Sequence, residues 1–148
     1  MKPVNSLPPP EECNCFAVRA AARHVSQSYD RFLAPTGLRT TQYSILARLK
    51  RKGPLTINAL AEELVMDRTT LGRNILPLER EGLIRIAPAA SDRRAKELQL
   101  TRAGERRFQA ARKGWAAAQA RFESAYGTRR AAELRTMLSA LVASEFSP

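Results

Sequence analysis

Apolar residues recur along this chain in two periods, and the change of period marks where the fold changes character. After Cys15, positions Val18, Ala22, Val25, Tyr29 and Phe32 follow at alternating steps of three and four, which places them on one face of a helix. Glu11 and Glu12 sit where acids favour a helix N-terminus, and Pro35 with Gly37 ends the run. Thr40 or Thr41 caps a second helix through Leu49 and Arg51, stopped by Gly53-Pro54. Thr56 caps a short third helix over 57–64, with Leu60 and Leu64 inward. Asp67 is a good N-cap for a fourth, which runs to about Glu81 and closes at Gly82. Pro77 inside it predicts a bend or a loosened hydrogen bond near Arg73.

The period then shortens. Leu83 to Ile86 and Glu97 to Leu100 have strand character, and the polar stretch Pro88 to Arg94 between them reads as the tip of a hairpin. Thr101 caps a long helix whose stripe is Phe108, Ala111, Trp115, Ala118 and Phe122. Gly127 breaks the chain and Thr128 caps a last helix, for which Leu134, Met137, Leu138, Leu141 and Val142 are expected to form a buried face. The expected fold is mainly α with a small β-hairpin wing. Residues 1–10, with four prolines, are expected to be a flexible arm. Residues 11–39 form a first helical region, 40–100 a winged helix-turn-helix and 101–148 the closing helices.

Charge narrows the choice of partner. The chain carries 25 Lys and Arg against 14 Asp and Glu, a net +11, and most of its cations are arginine. Guanidinium groups suit phosphates and guanine edges, so a polyanion is the first expected partner; a charged solubility surface would look the same, and the order helix, tight turn, helix, basic hairpin is what points to double-stranded DNA. The helix expected after Asp67 is shaped to read it. Its first turn holds Arg68, Thr69 and Thr70, and the next holds Arg73 and Asn74. Arginine can bond guanine and asparagine can bond adenine in the major groove, while Leu71, Ile75 and Leu78 face inward. On the hairpin tip Arg93 and Arg94 can enter an adjacent minor groove, and Asp92 is expected to hold an arginine side chain by a charge-assisted hydrogen bond.

These segments resemble one family. Gly82-Leu83-Ile84 and the stretch from Asp92-Arg93-Arg94 to Leu100-Thr101 are similar to the wing of the MarR family of bacterial transcriptional regulators. Thr56-Ile57-Asn58-Ala59-Leu60-Ala61 through Asp67-Arg68-Thr69-Thr70-Leu71 resembles that family's helix-turn-helix, and Gly37-Leu38 with Thr41-Gln42-Tyr43 its preceding helix. The resemblance covers nearly everything from about Cys13. It implies a homodimer held by the first and last helices, binding palindromic operators, modulated by a small phenolic or other organic effector or by oxidation. The segment from Cys15-Phe16-Ala17 to Tyr29 resembles the organic-hydroperoxide-sensing branch, in which a cysteine is oxidised and tyrosines of the partner subunit bond it. Thr40 stands where that branch is expected to carry a tyrosine, and another position carries Arg19.

Two readings of Cys15 stay open: a redox sensor at a helix start, where the dipole favours a thiolate, or a small residue of an apolar stripe. Cys15 and Tyr29 are 14 residues apart, about 21 Å along a helix, so they can meet only across a dimer. Cys13 is a candidate resolving thiol. His24 and Tyr43 are candidates for an effector pocket in which arginines meet a carboxylate. Cys13, Cys15 and His24 lack a fourth ligand of suitable spacing, so neither metal nor cofactor is expected. No Ser/His/Asp order and no glycine-rich phosphate loop points to an enzyme, leaving a thiol peroxidase or a sequence-neutral architectural DNA-binding protein as the competing classes. No run reaches membrane-spanning length, no signal peptide is evident, and a cytoplasmic location is expected.

Overall fold

Caps and breakers set most boundaries of the fold, a computed structural model that describes residues 7–148. Its elements are α1 (Asn14–Leu33), α2 (Thr40–Lys52), β1 (Leu55–Thr56), α3 (Ile57–Glu63), α4 (Arg68–Arg80), β2 (Ile84–Pro88), β3 (Lys96–Leu100), α5 (Arg102–Tyr126) and α6 (Thr128–Ala143). Thr56, Asp67 and Thr101 cap α3, α4 and α5 as expected, accepting hydrogen bonds from the backbone N–H groups of Ala59, Thr70 and Gly104 at 3.1, 2.8 and 3.0 Å. Gly37, closing the 3-10 turn Ala34–Thr36 that follows α1, and Gly82, just past α4, are left-handed, φ 74° and 71°, which glycine alone adopts without a Cβ penalty. α4 runs through Pro77 unbroken.

Several boundaries differ from expectation. Residues 1–6 of the expected arm lie outside the described residues, and Pro10–Glu12 forms a 3-10 turn. Pro9, preceding another proline, is held extended at ψ 148°. Glu11 and Glu12 therefore lie in that turn, and α1 starts after Cys13, whose Sγ accepts the N–H of Phe16 at 3.4 Å. Neither Thr40 nor Thr41 caps α2. The Arg39 N–H donates to Gln42 Oε1 at 3.0 Å and the Thr40 N–H to Asp30 Oδ1 at 2.7 Å, so α1 itself satisfies a backbone donor at the start of α2. A two-residue strand, too short to show a period, joins the hairpin: the sheet order is β1-β3-β2, antiparallel throughout, with Leu55 opposite Leu98 and Ile84 opposite Leu100.

The core lies where α2, α3, α4, the sheet and the first half of α5 meet. Leu38, Ile45, Leu46, Leu60, Leu71, Leu78 and Leu98 are all buried there. The expected burial of α6 is not found within one chain. Ala131 alone is buried in that helix, while Met137 is 62% and Val142 61% exposed and Leu138 and Leu141 are exposed as well. Most of the apolar stripe of α6 is therefore exposed, and its end at Val142 borders an open cleft lined by Asn58, Val65, Met66 and Arg68 at the α3–α4 turn. The α1 stripe divides likewise: Cys15, Val18 and Ala22 are exposed, Val25 and Tyr29 half-buried against α5.

Two glycines of α5 set its position. A Cβ on Gly104 would lie 2.0 Å from the Leu83 carbonyl oxygen, and one on Gly114 would lie 2.4 Å from that of Phe32. α5 thus approaches the hairpin backbone at one point and the α1 backbone at the other. Gly104→Ala should cost about 1–3 kcal/mol, because backbone on both sides has to yield; thermal unfolding will measure it. Val65, in the turn between α3 and α4, has φ 51° and is 71% exposed. A β-branched residue is strained there, so Val65→Gly should stabilise the chain by about 1 kcal/mol net of the added unfolded-state entropy, again read from the unfolding midpoint.

Candidate nucleic-acid interface

The tight turn at Val65 and Met66 crosses α3 against α4, with Met66 N–H bonded to the Ala61 carbonyl at 2.9 Å. Asp67 then fixes the first turn of α4 twice: its Oδ1 accepts from the Thr70 N–H at 2.8 Å and its Oδ2 from the Thr70 hydroxyl at 2.7 Å. Those bonds hold the Asp67 carboxyl below its ordinary pKa. With Leu71, Ile75 and Leu78 buried, the 3.6-residue period turns Thr69, Arg73 and Leu76 outward. Leu76 is 51% exposed. It escaped the sequence reading, although it stands seven positions after Thr69 on the same face.

The expected readers are therefore not equivalent. Arg68, Thr69 and Arg73 are exposed. Thr70 spends its hydroxyl proton on Asp67. Asn74 is half-buried, and its Nδ2 donates to the Thr70 carbonyl at 2.9 Å, so its donor side is engaged within the helix. An interior Asn that bonds back to the preceding turn follows a known competition between side chain and backbone.

The hairpin tip is folded rather than loose. Ala89 N–H bonds the Ala95 carbonyl at 2.8 Å and Ala95 N–H the Asp92 carbonyl at 3.1 Å. Asp92 does not hold an arginine side chain. Its Oδ1 accepts the backbone N–H of Arg94 at 2.9 Å, and no ion pair among the described residues involves it. An aspartate at a turn bonds the backbone two residues on because that geometry is local. Arg93 and Arg94 are left exposed. Arg94 meets Arg68 across a cleft of 430 Å³ between the wing base and the start of α4, which brings the two reading elements together.

The candidate sensing residues are spread over several surfaces. Cys13 and Cys15 are exposed free thiols, and His24 is exposed on α1. The Tyr29 hydroxyl donates to Gln119 Oε1 of α5 within the same chain; burial and then Glu123 push it above its ordinary pKa, with Arg135 opposing. Tyr43 is buried in an aromatic group, its ring 5.2 Å from Phe108 and stacked on Trp115 at 6.1 Å and 11°. It lines a 450 Å³ cleft between α2 and α5 bordered by Arg48, Arg51 and Arg112. Burial raises the Tyr43 hydroxyl, and the nearby Arg112 charge pulls it back in part. His24 does not line that cleft.

Comparison with known proteins places this geometry. Residues 38–96, from the end of the α1–α2 connection to the first residue of β3, match the MarR family profile. The chain is 29% identical over 90 residues to an organic hydroperoxide resistance transcriptional regulator of Bacillus subtilis, spanning 61% of each. A crystal structure of the M. tuberculosis transcriptional regulator MosR in complex with DNA is 36% identical, with a TM-score of 0.77, covering 91% of this chain and all of that one. CouR from Rhodococcus jostii, crystallised with p-coumaroyl-CoA, shares the fold at 22% identity and a TM-score of 0.76, covering 96% of this chain and all of that one. With its helix-turn-helix, three-stranded wing sheet and long flanking helices, this chain belongs to the MarR family of DNA-binding transcriptional regulators.

Proposed function

We propose that the chain acts as a two-fold homodimer that represses transcription from a palindromic operator and releases it when a small organic acid occupies the Tyr43 cleft. The meeting of Arg68 and Arg94 across one cleft carries the DNA part of this reading. A helix N-terminus in a major groove and a wing in the neighbouring minor groove require those two elements to lie this close. The uncovered apolar stripe of α6 and the exposed start of α1 support a partner copy, since large apolar patches on single chains mark interaction surfaces. A two-fold pair would present two recognition helices to two half-sites.

The effector part rests on the α2–α5 cleft. Tyr43 and Trp115 offer ring faces, and Arg112 and Arg51 offer charge at the rim. Its volume of 450 Å³ suits a small ring compound, within the ~300–1,000 Å³ of ligand clefts. An aromatic carboxylate would stack on the rings and bond a guanidinium.

A second input has a specific observation behind it, the exposed Cys15 thiol together with the likeness to a regulator named for organic hydroperoxide resistance. In that reading the thiolate sulfur attacks the terminal peroxide oxygen and the O–O bond breaks. The alkoxide leaves and takes a proton, giving a sulfenic acid and an alcohol.

Arg68→Ala and Arg94→Ala should each weaken binding to a duplex selected by the wild-type protein by about 1–3 kcal/mol, measured by fluorescence anisotropy at fixed salt. Binding equal to wild type in both would overturn the assigned contacts. Titration with a panel of aromatic acids should perturb Trp115 fluorescence and release the duplex, and Arg112→Gln should weaken that response by roughly 10- to 150-fold, as expected for loss of a charged hydrogen bond of ~1.5–3 kcal/mol. An organic hydroperoxide should release wild type but not Cys15→Ser if oxidation is the input; release of both or of neither rules it out.

A further inference from the structure

The recognition helix has a cationic cleft on each side. The cleft towards the wing is bounded by Arg68, Arg94 and Lys96, with Asn58 at the start of α3. Its lining holds three cations and no carboxylate. The cleft on the other side, 360 Å³ between α4 and the start of α2, is bounded by Arg39, Arg73, Thr41 and Asp30. The Asp30 carboxylate there is turned to the Thr40 N–H at 2.7 Å. None of these five cations takes part in an ion pair among the described residues. Six other cations, Arg48, Lys50, Lys52, Arg107, Arg129 and Arg135, are each paired with a glutamate, and the other described cations are as unpaired as these five, so what sets the five apart is their grouping around two clefts. Unpaired like charges crowded around a concave surface focus a positive potential into it, which an anion would relieve.

Groove geometry supplies that anion. A helix in the major groove and a wing in the next minor groove leave one DNA strand between them, and that strand has to pass where α4 meets the wing base. The second strand borders the same major groove about 12 Å away, on the side where α2 begins. We infer that the two clefts are phosphate clamps for the two strands bordering one major groove. Lys96, beside Arg68 and Arg94, holds the strand between the grooves; Arg39, beside Arg73, holds the opposite strand. This rests on the DNA-reading function proposed above and adds to it two contact residues, Lys96 and Arg39, that serve the backbone and not the bases. The wing-side clamp is the stronger, because the Asp30 carboxylate offsets part of the charge on the other side.

Salt dependence separates a phosphate contact from a base contact. The probes are a duplex enriched from a random-sequence library by the wild-type full-length chain and the unselected library DNA itself. Removing one cation from a phosphate should flatten the slope of log affinity against log salt by about 0.9, hence about 1.8 for a two-fold dimer altered in both subunits. Lys96→Gln and Arg39→Gln should each show this flattening on both probes, with the preference for the enriched duplex unchanged. Arg129→Gln, which removes a cation from α6, should leave the slope as in wild type. Lys96 and Arg39 are both exposed, and unchanged thermal unfolding will establish that the variants fold. A wild-type slope in Lys96→Gln or Arg39→Gln overturns the clamp on that side. An equal flattening in Arg129→Gln, or loss of preference for the enriched duplex, overturns the backbone role. If no sequence is enriched, the proposed operator reading fails, and the slopes on unselected DNA still decide the clamps.

Discussion

The arrangement depends on how closely α5 approaches two other pieces of backbone. At Gly104 the helix lies against the Leu83 carbonyl, and at Gly114 against that of Phe32. The first contact is reinforced by Thr101, whose N–H donates to the Leu83 carbonyl at 3.2 Å and whose hydroxyl donates to that of Gly82 at 2.6 Å. Gly82 and Leu83 join α4 to the wing, so this junction fixes the recognition helix and the hairpin to α5 together. The second contact fixes α1. A side chain at Gly104 would push α5 from the wing junction and one at Gly114 would push it from α1, and packed interiors transmit such shifts instead of absorbing them.

This explains how a DNA-reading unit and a distant signal can share one lever. The Tyr43 cleft is formed by α2 and α5, the helix that carries both contacts. An occupant between them would act on the same element that positions Leu83 and Phe32. α1 is joined to the start of α2 through Asp30 and Thr40 and to α5 through Tyr29 and Gln119, so movement at the proposed dimer contact would reach the reader by a second route. A ligand shifts such an equilibrium only by its difference in affinity for the two arrangements.

Much of the fold was legible because local chemistry determines it. Thr56, Asp67 and Thr101 stand at their caps and Gly37 and Gly82 at their stops, since a capping oxygen or a missing Cβ acts within a few residues. What escaped depends on neighbours distant in sequence. β1 is a strand only because β3 lies beside it. The cap of α2 comes from Asp30, ten residues earlier. The stripe of α6 reads as buried because periodicity reports that a face is apolar and not which molecule covers it. At the candidate interface the residue types pointed to two elements that the fold brings to one cleft, but not to the bonds within them: Asn74 turns back on Thr70, and Asp92 bonds a backbone N–H and not a guanidinium.

Sequencing of duplexes enriched from a random library by the full-length chain tests the central claim most directly. Two copies of the reader related by a two-fold axis should select an inverted repeat whose half-site centres lie about one helical turn apart, ~34–36 Å, or a multiple of it. An enriched motif with no inverted repeat, or no enrichment over input DNA, would contradict the account.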